Sequence, residues 1–231
     1  MNDHILIDLT DSSFEEFVDF LFSRETPSEG ESLAALAERG ETRKWKPWYW
    51  HTKVVFDPLS VRDHYVRLFR DPLFLLDRFT KAQLEQGFWA AQGPNLDCSA
   101  AKLVWNKDIP LPLRAEFVGS MVPLFELLFA KESLEDSVSM WWDSACYCWH
   151  CGNRKRSRGG EDLAMQDIMF EALVAILANE SETCQAAALH GLSHLHHPET
   201  EVAVQNYLSR NPLLDETWRK VALAAARFEL M

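Results

Sequence analysis

The sequence predicts an all-α protein. An irregular helical region over about residues 1–150 is expected to run on into an array of helical hairpins over residues 161–231. Two observations lead to this fold class. Apolar residues recur at spacings of three and four along most of the chain, which is the period of an amphipathic helix. A segment near the C-terminus also returns after 34 residues, which is typical of stacked helical hairpins.

The first 150 residues contain helix signals of uneven length. Ser12 and Ser13 are each followed three residues later by a glutamate, which predicts a capped helix over 13–24. Pro123 either kinks or splits a long apolar helix over 113–129. Ser133 or Ser137 is expected to open a helix containing WWDSACYCWHC. Other helices are predicted at 32–38, 60–69, 72–79, 80–93 and 99–105.

The segment KWKPWYWHTKVVFDP, residues 44–58, is the least helical part of the chain. It contains Trp45, Trp48 and Trp50, and large amphipathic rings of this kind commonly cover a core, either as an aromatic loop or along an extended edge. The same residue types also form the centres of recognition surfaces. The three tryptophans are therefore candidates both for core packing and for partner binding.

A linker-like stretch, GNRKRSRGG at 152–160, precedes four predicted helices at about 161–178, 182–196, 199–210 and 215–229. A shift of 34 residues places ETCQAAALHGL (182–192) on ETWRKVALAAA (216–226). The small residues Ala187, Ala188 and Gly191 suit the close helix approach that stacked hairpins require. The four helices are therefore predicted to form two hairpins that stack on each other.

This C-terminal part resembles HEAT-type repeats, over about 70 residues. In such repeats an A helix leads through a short turn into a B helix, and the B helices here would be Glu182–His196 and Asp215–Leu230. The resemblance implies an α-solenoid whose concave surface binds partners. Pro198 and Pro212 lie in the turns between the predicted helices. The proline and aspartate pattern usual in the first turn of such repeats is missing.

Segments SFEEFVDFLF, YVRLF and QLEQGFW of the N-terminal part resemble pieces of small uncharacterised bacterial proteins, some of them of the immunity type. The net charge of −12 fits such a protein, because it disfavours nucleic-acid binding and favours a basic protein partner. Acids outnumber bases 11 to 4 in both 1–44 and 161–231, whereas 45–160 is nearly neutral. With no signal peptide and no apolar run of about 18 residues, a soluble cytoplasmic protein is expected.

His190, His194 and His197 fall within roughly 60° of one another on a helical wheel, unless His197, next to Pro198, lies beyond the helix end. Histidines four residues apart can bind zinc side by side, but HxxxH lacks the glutamate of the HExxH pattern. The next repeat has apolar residues at all three positions, so the stripe should border a packed face. The sequence thus favours histidines that are satisfied by hydrogen bonds or line a partner-binding groove, with no metal and no cofactor.

The cysteines give weaker signals. Cys148 and Cys151 form one CxxC, which is half of a structural zinc site, and reduced thiols are expected for Cys146, Cys148 and Cys151. Trp141, Ala145 and Cys148 share a helical stripe and are predicted to be buried. Whether these cysteines or the histidine stripe bind a metal stays open at this point.

Two charged features have ordinary structural interpretations. Asp143 follows two tryptophans and is a candidate acid or base, although a buried carboxylate more often caps a neighbouring helix or pairs with an arginine. The basic residues of the linker, Arg154, Lys155, Arg156 and Arg158, are predicted to form a mobile, solvated loop rather than a phosphate site.

No Gly-rich phosphate loop, GxSxG elbow or complete metalloenzyme motif is present. The leading hypothesis is a non-catalytic protein-binding module, of the bacterial immunity or adaptor type, that masks a basic partner such as a nuclease toxin. The alternative is a metal-dependent enzyme that uses His190, His194 and a carboxylate.

Overall fold

A computed structural model describes residues 5–28, 30–40, 49, 52–132, 134 and 136–230. It is mostly helical, which confirms the predicted class at that level. The α-helices are α1 (Phe14–Phe22), α2 (Leu33–Gly40), α3 (Pro58–Arg70), α4 (Leu75–Arg78), α5 (Lys81–Gln92), α6 (Ala100–Val104), α7 (Leu111–Leu124), α8 (Asp136–Ser139), α9 (Asp143–His150), α10 (Gly160–Leu177), α11 (Glu182–Leu195), α12 (Thr200–Arg210) and α13 (Glu216–Ala226).

A small parallel sheet is the exception to the all-α prediction. Strand β1 (Ile5–Asp8) pairs with β2 (Thr52–Val55), with Ile5 opposite Thr52. Four-residue apolar runs give little periodicity, and the pairing joins residues far apart in sequence, so local patterns do not reveal it. The end of the aromatic segment therefore forms an extended edge. Trp45, Trp48 and Trp50 lie outside the described residues.

Two predicted helix starts are confirmed in detail. At α1 the backbone N–H of Glu16 donates to Ser13 Oγ at 3.3 Å, and the N–H of Ser13 donates to the Glu16 carboxylate at 3.0 Å. Thr80 and Gln83 form the same reciprocal pair at α5. Each pair satisfies two N–H groups that a helix otherwise leaves unbonded, which fixes where both helices begin.

The helix that contains Pro123 is neither split nor ended there. It runs through the proline as α7, and Phe125–Phe129 then follow in wider π-helical turns. Proline has no N–H for the i→i−4 ladder, and a π segment is a common local adjustment within a continuous helix. Phe125 and Phe129 then pack edge to face on Trp141, at ring separations of 6.3 and 5.5 Å.

The single helix predicted for WWDSACYCWHC is wrong, because a turn at 140–142 separates α8 from α9. The turn is held by backbone bonds from Trp141 N to Val138 O and from Asp143 N to Met140 O. Both tryptophan side chains are buried, which draws the chain inward at this point. As a consequence Asp143 becomes the first residue of α9.

Helix α11 is central to the C-terminal part. It packs against α8, α9, α10 and α13. Helix α10 also packs on α7. A hydrogen-bonded chain ties α11, α12 and α13 together, because Trp218 Nε1 donates to Tyr207 Oη and Tyr207 Oη donates to Gln185 Oε1, each at 2.7 Å. Among the described residues, no helix combines the length and apolarity needed to cross a membrane.

The basic linker is largely exposed, and its arginines pair with acids of α10. Arg154 donates to Asp162 at 2.8 Å and lies 3.2 Å from the centre of the Trp105 ring, and Arg156 pairs with Asp167. Acidic residues in the N-terminal half of α10 therefore form ion pairs with arginines of the linker that precedes the helix.

Candidate metal centre

Three potential metal ligands from two helices meet in one place, and we call Asp143, His190 and His194 the His/Asp cluster. His190 and His194 lie one turn apart on α11 and therefore on the same face. Asp143 opens α9, which packs against that face. Their ligand atoms all lie within 4.8 Å of one another.

The distances within the His/Asp cluster are short. Nε2 of His194 lies 2.6 Å from Nε2 of His190 and 3.3 Å from Oδ1 of Asp143. Ligands that sit about 2.1 Å from one tetrahedral ion are roughly 3.4 Å apart. The contact between His194 and Asp143 already has that spacing, and the contact between the imidazoles would need to open by less than about 1 Å.

Hydrogen bonding fixes the tautomer of His190. Its Nδ1 lies 3.1 Å from the carbonyl oxygen of Ser139, which can only accept, so Nδ1 carries the proton. In this tautomer Nε2 presents a lone pair toward His194. A backbone carbonyl on the outer nitrogen is the arrangement that commonly orients a metal-ligating histidine.

His194 is the most enclosed member, with 2 % of its surface exposed. Burial, followed by the neighbouring His190, His150 and His196, lowers its pKa to about 4, so the ring is neutral at physiological pH. A neutral imidazole is the form that binds a metal ion. Its Nδ1 has no hydrogen-bond partner among the described residues.

Further histidines surround the cluster. The rings of Tyr147 and His150 meet the His194 ring edge to face, each at 5.1 Å. His150 Nδ1 in turn lies 3.3 Å from His196 Nε2, and His196 stacks on Phe228 at 4.4 Å. Tyr147 and His150 lie one and two turns after Asp143, so a single face of α9 is directed at the end of α11.

His197 does not belong to this group, because it lies beyond the end of α11, which is the alternative that the adjacent Pro198 left open. Helix α11 ends at Leu195, and His196 adopts a left-handed conformation that turns the chain. His197 therefore points elsewhere, with Nε2 2.9 Å from Asp167 and its ring stacked on Phe170 at 3.9 Å. It stabilises the turn between α11 and α12 and does not face His190 or His194.

The cysteines are also arranged differently from the prediction. Cys146 is buried, whereas Cys148 is partly exposed and Cys151 exposed. Trp141 and Ala145 are buried as expected, but they do not share a continuous helix, because α9 begins only at Asp143. The turn at 140–142 changes the helical register and brings Cys146 to the core in place of Cys148.

A cavity of about 310 Å³ opens beside the His/Asp cluster. Asp143 and Ser144 of α9 form one wall, and the C-terminal half of α5 with the turn that follows it forms the other. Asp143 thus borders both the cavity and the histidines. A group bound in the cavity could approach an ion held by the cluster.

The sequence predicts His190 and His194 with an unspecified carboxylate as the alternative metal site, and it favours helix capping or arginine pairing for Asp143 over a role as acid or base. Asp143 contacts His194 instead. His150 and His196 were not predicted to lie beside the cluster. The spacing of Asp143, Tyr147 and His150 marks one face of a helix, but nothing in the sequence indicates that this face meets α11.

Comparisons of the chain with protein-family models, curated proteins and solved structures found no match.

Proposed function

We propose that the protein binds a divalent transition-metal ion through Asp143, His190 and His194 and acts as a metal-dependent enzyme on a molecule held in the adjoining cavity. The observation that carries this proposal is that two imidazole nitrogens and a carboxylate oxygen lie within 4.8 Å of one another. Two histidines and one carboxylate are the ligand set of catalytic zinc and non-haem iron sites.

Three protein ligands leave at least one coordination position for water or substrate. Asp143 also lines the cavity, so a molecule bound there would lie beside this ligand. The ion would supply Lewis-acid chemistry, and on zinc it would lower the pKa of a bound water to about 7. The protein buries His194, and the carbonyl oxygen of Ser139 orients the His190 ring.

The test is metal binding by purified, chelator-stripped protein. Titration with Zn²⁺ should give one site per chain, and Co²⁺ should produce the visible absorption of a nitrogen- and oxygen-ligated ion. Loss of an outer-shell partner alone costs 10–100-fold in metal affinity, so His194→Ala or Asp143→Ala should cost at least about 100-fold. His197→Gln serves as the matched control, because it alters a buried histidine outside the cluster.

Equal Zn²⁺ affinity in the wild type, His194→Ala and Asp143→Ala, each folded by circular dichroism, would refute the proposed site. Hydrolytic turnover of amide or ester substrates by the Zn²⁺ form, absent from His194→Ala, would support the enzymatic half of the proposal. A tight site with no turnover on any substrate that binds the cavity would limit the function to metal binding.

A second proposal is that the C-terminal helices form a HEAT-like protein-binding surface for a basic cytoplasmic partner, as in an immunity or adaptor protein. The pairing of α10 with α12 and of α11 with α13 supports the repeat arrangement. Leu213 is 96 % exposed, and Val202 is exposed as well. The exposed acids Glu201, Asp215 and Glu216 are close to them in sequence.

Exposed apolar side chains with acidic neighbours suit a partner surface on which lysines and arginines surround an apolar patch. The candidates to test are the products of neighbouring genes, mixed pairwise with this protein. Leu213→Asp and Glu201→Lys should weaken a complex, and the Glu201→Lys effect should diminish at high salt. Leu76→Asp, at an exposed leucine of α4, is the control. No binding to any of these products would overturn the proposal.

A further inference from the structure

A second pair of imidazole nitrogens lies beside the His/Asp cluster. Nδ1 of His150, the last residue of α9, is 3.3 Å from Nε2 of His196, the residue that follows α11. Two nitrogens that bind one tetrahedral ion are roughly 3.4 Å apart. This pair therefore already has the spacing of two metal ligands, whereas the closer pair of His190 and His194 has to open.

The backbone at His196 would suit a different residue type. Its φ of 53° and ψ of 37° are left-handed, and glycine or asparagine is the usual residue where a helix ends in this conformation. A histidine in this conformation is strained relative to glycine. Strained residues of this kind cluster at ligand-binding sites, so the position points to a use for the imidazole itself.

Both rings of the pair are held in place by aromatic neighbours. His196 stacks on Phe228 with 4.4 Å between the ring centres, and these two are the non-glycine residues of the described chain that have a positive φ. His150 stacks on Tyr147 at 5.2 Å. Because the rings are already oriented, little side-chain entropy is lost when they bind a ligand.

The two imidazoles are only partly buried, so water can complete the coordination of an ion between them. Without an ion, the contact of 3.3 Å is an N–H···N hydrogen bond between neutral rings. An ion replaces the bridging proton, and the ring that carried this proton adopts its other neutral tautomer. Neutral imidazoles are the preferred ligands of zinc, copper and nickel ions.

We propose that His150 and His196 bind a second divalent transition-metal ion beside the His/Asp cluster. The rings of His150 and His194 are 5.1 Å apart, so the two sites are neighbours. Two protein ligands replace the three of the cluster, so the second ion should bind more weakly. The second site shares no ligand with the cluster and does not require the cluster to be occupied.

The experiment is a calorimetric titration of the full, chelator-stripped chain with Zn²⁺, continued beyond the first equivalent. The cluster alone accounts for one ion, and the second pair should raise the total to two. His150→Ala and His196→Asn should each weaken the second ion at least about 100-fold, which exceeds the effect of losing an outer-shell partner. Asparagine tolerates the left-handed backbone, so His196→Asn removes the ligand without breaking the turn.

The matched control is His64→Gln, because the His64 ring contacts the carbonyl oxygen of Ser12 and no other histidine. This variant should keep both ions. NMR of the histidine rings locates the second ion directly: the signals of His150 and His196 should shift with the second equivalent of Zn²⁺, and those of His64 should not.

Asp143→Ala distinguishes this proposal from the first, because it removes a ligand of the cluster alone. An ion that is kept in Asp143→Ala and lost in His150→Ala would support the second site even if the cluster bound nothing. One ion in the wild type, lost in Asp143→Ala but unchanged in folded His150→Ala and His196→Asn, would overturn the second site and leave the cluster. A second ion that persists in both of these histidine variants would overturn it as well.

Discussion

Gly191 and Trp142 approach so closely that a Cβ atom on Gly191 would lie 2.8 Å from Cβ of Trp142. A Cβ there would also lie 2.6 Å from a methyl carbon of Leu173. Helix α11 can therefore reach the turn before α9 only because residue 191 has no side chain. His190 precedes this glycine and Asp143 follows this tryptophan, so the contact sets the spacing of the His/Asp cluster.

Gly191→Ala should destabilise the protein by about 1–3 kcal/mol, because α11 must move away from Trp142 to admit a methyl group. The same displacement should separate the histidines from Asp143 and weaken Zn²⁺ binding. Urea denaturation and Zn²⁺ titration measure the two effects. Gly119→Ala on α7 is the control, since nothing lies within 4 Å of its added Cβ, and it should stabilise by up to about 1 kcal/mol. Similar stabilities for the two variants would contradict this account of Gly191.

Gly87→Ala should separate stability from metal binding. An added Cβ at Gly87 would lie 2.6 Å from the backbone oxygen of Leu21, so α5 would have to move away from α1. We expect a loss of about 3 kcal/mol, because a backbone atom cannot rotate away as a side chain can. Zn²⁺ affinity of the folded fraction should fall less than in Gly191→Ala, because the added Cβ meets residues of α1 and not the helices that carry the ligands. A parallel loss of affinity in this variant would show that metal binding reports only on overall stability.

The sequence predicts the C-terminal helices well because each contains several turns of local pattern, and the helices from Gly160 to Ala226 match the predicted ranges within a few residues. The sequence does not predict contacts between segments that are far apart along the chain. The pairing of Ile5 with Thr52 depends on chain segments that meet only in the folded state. The turn before Asp143 likewise depends on a core that buries Trp141 and Trp142.

The site was half predictable for the same reason. His190 and His194 lie on one helix, so their spacing alone places them together. Asp143 reaches them only through the packing of α9 on α11, which no local pattern encodes. His197 lies outside the cluster because α11 ends at Leu195, so the helical spacing no longer applies to it.

Tyr207→Phe should destabilise the α11–α13 region. The Tyr207 hydroxyl donates to Gln185 and accepts from Trp218, so its removal leaves two polar groups without this partner. We expect a cost of about 1–3 kcal/mol by urea denaturation. The double variant Tyr207→Phe with Gln185→Leu should lose less stability than the sum of the two single variants, because each single change already breaks the bond between Tyr207 and Gln185. Strictly additive losses would contradict a direct contribution of this bond.

The pair of Asp167 and His197 predicts a two-step loss of stability in acid. Burial lowers the pKa of His197 below its ordinary 6.5, more than the hydrogen bond to Asp167 raises it. Burial raises the pKa of Asp167, but hydrogen bonds from Arg156 and His197 outweigh this effect, so the net pKa lies below 3.8. Both groups bind fewer protons in the folded chain than in the unfolded chain, so both reduce stability as the pH falls.

The His197 contribution should be lost from about pH 6.5 downward and the Asp167 contribution only below about pH 3.8. His197→Gln should therefore flatten the fall of the melting temperature in the upper range. Asp167→Asn should flatten the lower range and steepen the upper one, since His197 then loses the partner that raises its pKa. Thermal melts followed by circular dichroism from neutral pH to below 3.8 measure both slopes. Parallel profiles for wild type and both variants would show that this pair does not couple folding to pH.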